Sequence, residues 1–113
     1  MEIDMDKFDE FKTALEDGIK DLAKKTTQDF ADQAFDDGKA FLNETEDDLK
    51  RWTRLLASGD LTEDDFKWLV QSKQDVAQMV ALKQKGLGQT KIDSFRRGLL
   101  ELVVNTALDI FLA

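Results

Sequence analysis

The sequence predicts an all-α protein, and three observations carry that expectation. Apolar residues recur at intervals of three and four, the helix period, with no strand-like alternation. Proline is absent from the 113 residues and glycine occurs only six times. Opposite charges pair at i,i+4, as in Glu16–Lys20, Asp21–Lys25, Glu46–Lys50 and Asp47–Arg51, the spacing of neighbours on an exposed helix face. The expected architecture is one long N-terminal helix, bent or continuous, plus an antiparallel helical hairpin, together an elongated helical bundle. Residues 1–113 are expected to form a single all-helical domain, because this length supports one modest core.

The first helix is expected over about 6–57. Its stripe reads Phe8, Phe11, Leu15, Ile19, Leu22, Thr26, Phe30, Ala34, Gly38, Phe41, Thr45, Leu49, Trp52, Leu56. The mean step is about 3.7 residues, near the helical repeat. Within it, Phe8, Ile19, Phe30, Phe41 and Trp52 stand 11 apart, a spacing that keeps one column straight or slightly right-handed. Gly18, Gly38 and the pair Thr26-Thr27 weaken the helix without stopping it. A bend is expected near Gly38. Ser58-Gly59-Asp60 ends the helix, Gly59 suiting the left-handed position after a last turn.

The second helix is expected over about 63–85. Thr62 caps it, Asp65 takes the reciprocal position, and Leu61 and Phe66 have the spacing of a hydrophobic staple. Its apolar face is Phe66, Leu69, Val70, Val76, Ala77 and Val80, with Trp68, Met79 and Leu82 on the flanks. Lys83 and Lys85 precede a glycine stop at Gly86-Leu87-Gly88. The third helix is expected over about 91–112, capped by Thr90. From Gly98 to Ala113 it is very apolar, with Glu101, Asn105 and Asp109, four apart, as one narrow polar stripe. Such a helix is core or an oligomer interface. It is too short and too charged for a membrane span.

Geometry then sets a conflict. An unbroken first helix would be about 78 Å long, whereas a compact domain of this size has a radius of gyration of about 13 Å. Either the helix folds back into an intramolecular four-helix bundle, or its N-terminal half needs a second chain. With no strong break signal the second option is favoured. Phe8, Phe11, Leu15, Ile19, Leu22 and Phe30 are then the expected homo-oligomer interface, a symmetric dimer foremost.

Charge and residue types limit the chemistry. There are 24 acids against 16 bases, and residues 1–50 alone carry 16 acids and 7 lysines. Such a surface repels nucleic acid and anionic lipid. Lys83, Lys85, Lys91, Arg96 and Arg97 form a small basic cluster interrupted by Asp93, best read as a solvated helix junction. With no His and no Cys, zinc sites, thiol catalysis and histidine general bases lack their ligands and nucleophiles. No acid run has the spacing of a calcium loop. No catalytic, cofactor or metal residues are therefore expected. Trp52 and Trp68 are both candidate binding anchors; Trp52 reads as core, while Trp68, off the centre of its stripe, reads equally as core or as an anchor. The acidic N-terminus carries no secretory pattern, and the lack of Cys fits a reducing, cytoplasmic setting.

Three functional readings follow. The first is a non-enzymatic, self-associating interaction or scaffold module. The second is an acidic inhibitor, antitoxin or immunity-type protein that covers a basic partner. The third is an amphipathic coat on a neutral lipid or granule surface.

Overall fold

The structure, a computed structural model, describes residues 5–75 and 77–112. Val76 and Ala113, assigned above to apolar faces, lie outside the described residues. All regular elements among the described residues are helical. They are α1 (Met5–Thr27), one 3₁₀ turn (Gln28–Phe30), α2 (Ala31–Ser58), α3 (Glu63–Asp75), α4 (Val80–Lys85) and α5 (Gln89–Phe111).

The long N-terminal segment is helical to Ser58 but folds back on itself at Thr27–Phe30. The molecule extends 47 × 23 × 21 Å, too short to hold an unbroken helix of that length. The bend falls eleven residues before Gly38, the expected place. Gln28 carries it with φ 51°, a left-handed conformation that costs a non-glycine residue about 1–2 kcal/mol. Folding back buries the stripe of α1 on the same chain, at roughly 1.5–3 kcal/mol per large side chain. Several such side chains outweigh one strained residue.

The register of the hairpin is antiparallel. The Lys50 ammonium lies 5.6 Å above the Phe8 ring, Lys12 pairs with Glu46 at 2.8 Å, and Ile19 meets Gly38. A Cβ on Gly38 would stand 2.6 Å from Ile19 Cγ2. Gly38 thus serves close approach and does not bend the helix. Lys20 and Lys39 both reach the half-buried Phe35 ring, at 5.7 and 5.6 Å.

α5 packs antiparallel along the other side of α1 through two reciprocal notches. Leu102 fills the space over Gly18, and Leu22 fills the space over Gly98. At the far end Phe11 meets Phe111 edge-on, with ring centroids 5.6 Å apart. Ile92, Phe95, Leu99, Val103 and Ala107 are all at most 1% exposed, while Glu101, Asn105 and Asp109 face outward. The apolar C-terminal helix is therefore core.

α3 bridges α2 and α5. Its N-terminus matches the sequence signal: the Asp65 amide donates to Thr62 Oγ1 at 3.1 Å. Before it, Gly59 ends α2 with φ 84°. Two details differ from the expectation. The second helix is interrupted after Asp75 and resumes as α4 at Val80. Met79, at φ 50°, turns into the core there and is 3% exposed. The third helix starts at Gln89 with extended Gly88 as its cap, two residues ahead of the expected cap Thr90. The Ile92 amide donates to the Gly88 carbonyl at 3.1 Å.

Candidate functional site

The six side chains expected at a homo-oligomer interface lie within one chain. Phe8, Phe11, Leu15 and Ile19 are 0–3% exposed. Leu22 and Phe30 are half-buried and pack against the same core. The cover that length and helix geometry assigned to a second chain comes from α2 and α5 of this one. The sequence reading missed this because the turn at Thr27–Phe30 contains neither glycine nor proline.

The break between α3 and α4 is held by tertiary contacts that periodicity cannot show. Asp37 on α2 is buried, and its two carboxylate oxygens accept the Ala81 and Leu82 amides at 2.9 and 2.8 Å. It caps a helix more than 40 residues away in sequence. Two unpaired amide donors at a helix start are the groups such a carboxylate satisfies. Arg96 closes the other side by donating to the Ala77 carbonyl. The basic cluster is thus partly structural: Arg96 is half-buried, whereas Lys83, Lys85, Lys91 and Arg97 are exposed.

Two ion-pair groups tie the helices together at the surface. A hydrogen bond from Lys12 holds the Glu46 carboxyl below its ordinary value, and the same bond holds the Lys12 ammonium above its own. Burial pushes the Asp48 carboxyl up, but hydrogen bonds from Lys73 and Arg51 outweigh it and leave it lowered. The Lys73–Asp48 contact, 3.2 Å, joins α3 to α2. Lys12–Glu46 and Lys73–Asp48 are pairs of opposite charge between neighbouring elements, the arrangement of structural ties, while Arg51–Asp48 lies within α2. Among the described residues, no three acidic side chains converge where they could hold a metal ion. No helix among them is long and apolar enough to cross a membrane.

Among the described residues, the large hydrophobic side chains left exposed are Trp68, Val80 and Leu112, and Trp68 is the aromatic one. Trp68 on α3 is 66% exposed, whereas Trp52 is 7% exposed and packs in the core. One turn before Trp68 stand Asp64 and Asp65, and one turn after it Gln71 and Ser72, all exposed. The Ser72 hydroxyl donates to the Trp68 carbonyl at 3.0 Å, which keeps it on that face. The indole is therefore collared by acids at one end and neutral polar groups at the other. Exposed carboxylates continue on the outer sides of the hairpin, including Glu10, Asp17 and Asp21 on α1 and Asp36 and Asp47 on α2.

Comparison with known proteins finds no matching family model, no matching curated protein and no matching solved structure, so the functional reading rests on these residues alone.

Proposed function

We propose that this chain is a non-enzymatic helical protein-interaction module whose contact centre is the exposed face of α3 around Trp68. The observation that carries this reading is the exposure of that indole. A tryptophan left two-thirds wet on a chain with a well-filled core has the profile of an interface anchor, since aromatic residues dominate interface hot spots. Self-association, as a dimer, is one form the contact takes. The acid collar favours the other form, a basic partner: two copies of a chain carrying a net charge of -8 repel when acidic faces meet. A cationic side chain, in contrast, gains from the carboxylates and from the indole face together. The absence of Cys supports a cytoplasmic setting.

The test is capture from native extract at low salt with the wild-type chain and with Trp68→Ala. A basic protein retained by the first, lost by the second and released by salt supports the reading. Capture that is indifferent to Trp68, in a variant with an unchanged fold, refutes it. Light scattering on both chains separates a basic partner from a second copy.

A further inference from the structure

We infer that the α1–α2 hairpin opens at Thr27–Phe30 into one continuous helix and that two copies exchange α1 to form a symmetric dimer. This self-association runs through α1 and is separate from the contact proposed at the Trp68 face. Its partner is a second copy of this chain.

Four observations converge on it. First, the apolar column Phe8, Ile19, Phe30, Phe41 and Trp52 passes through the turn without losing its 11-residue spacing. A straightened segment would present one unbroken stripe. Second, the turn is strained and uncapped. Gln28 sits at φ 51°, and neither Thr27 nor Phe30 makes a side-chain capping bond to the element it precedes. Third, Thr27 already behaves as a residue of the helix interior: its hydroxyl donates to the Ala23 carbonyl at 2.6 Å. Straightening the chain relieves Gln28 and gives the exposed helix ends their backbone partners.

The fourth observation is the register. Phe8 lies with Lys50, Lys12 with Glu46 and Ile19 with Gly38. The midpoints of all three pairs fall at residues 28–29, inside the turn itself. Two continuous helices laid antiparallel in this register therefore coincide with themselves under a two-fold axis through that point. Every hairpin contact re-forms between chains in a closed, isologous arrangement. Notches such as Gly98–Leu22 re-form too, with α1 of one copy on α5 of the other. Short, strained hinge segments are where such exchange begins.

The experiment uses the full chain. Equal amounts of natural-abundance and ¹⁵N-labelled protein are unfolded, mixed and refolded at millimolar concentration. Any species of twice 12.9 kDa is isolated and treated with a zero-length carbodiimide. This reagent joins Lys12 to Glu46, which touch at 2.8 Å. Mass spectrometry of the joined peptides then reads which chains they came from. Peptides pairing a light Lys12 segment with a heavy Glu46 segment are expected. A dimer containing only like-with-like pairs overturns the exchange while leaving surface self-association standing. A chain that is wholly monomeric at millimolar concentration overturns both. Two variants bracket the cause. Gln28→Gly, which takes positive φ freely, should raise the dimer dissociation constant about tenfold or more. Gln28→Val, which resists it, should lower the constant by a similar factor. Equal constants for the two variants would also refute the role of the turn.

Discussion

Leu22 of α1 occupies the space that a side chain on Gly98 of α5 would need: a Cβ there would stand 2.7 Å from Leu22 Cδ1. The helices approach closely because one of them has no side chain at the contact. Gly98→Ala gains about 1 kcal/mol of helix propensity and meets an overpacking cost of about 1–3 kcal/mol. A net loss of about 1 kcal/mol is expected in urea unfolding. In a Leu22→Ala background the obstructing methyls are gone, and the same Gly98→Ala change should become stabilising. The reversal of sign is the check, and the same sign in both backgrounds would refute the notch.

Asp37 gives a second prediction. Its carboxylate satisfies two amides of α4. Asp37→Ala should cost about 1–3 kcal/mol by leaving buried donors unpaired, and Asp37→Asn less. Hydrogen exchange should show faster exchange at Ala81 and Leu82 in the alanine variant, with amides in the middle of α1 far less affected. Equal acceleration throughout would indicate a general loss of stability instead.

The two tryptophans should behave as opposites. Trp68→Ala should change stability by no more than about 0.5 kcal/mol, as for an exposed substitution. Trp52→Ala should cost about 3–5 kcal/mol. Acrylamide, an uncharged quencher, should quench the fluorescence of Trp52→Phe, which reports Trp68 alone, far more than that of Trp68→Phe.

Stability should fall at both ends of the pH range, for separate reasons. Glu46 and Asp48 are lowered in the folded state. Their contribution is present above the ordinary carboxylate range and is lost as pH falls through their folded values. Lys12 is raised, so its contribution is complete below its ordinary value of 10.5 and is lost as pH rises beyond it. The pair is partly exposed, so the effect is modest and weakens with salt. Urea midpoints at acid, neutral and alkaline pH should show Glu46→Gln flattening both arms. An unchanged alkaline arm would break the assignment to Lys12.

The parts of this fold visible in the sequence are those set by local chemistry. The stripe from Phe8 to Leu56, the Gly59 stop and the Thr62 cap each depend on residues within a few positions of one another. The parts that were hidden are set by distant residues. The turn at Gln28 exists because α1 gains more from burial on α2 and α5 than it loses in strain. The break before Val80 exists because Asp37 supplies two acceptors from another helix. Gly38 and Gly98 read as weak points along the chain, and only the packing shows that both admit a neighbouring side chain. The interface candidates show the same limit: periodicity identified Phe8, Phe11, Leu15 and Ile19 as needing cover, but it could not say that α2 and α5 of the same chain provide it. Trp68 was visible as an outlier from its stripe, and its exposure fits that position.

The edge-on contact of Phe11 with Phe111 bears on the order in which the helices are strung. It brings the outer ends of α1 and α5 together at one pole, while the turn between α1 and α2 lies at the other. A chain opened at Asp29, with its first and last helices joined by a short linker across that aromatic pair, would present the same neighbours in a permuted order. The architecture is then a property of which faces meet, and the covalent path between α1 and α2 is one of at least two ways to string it.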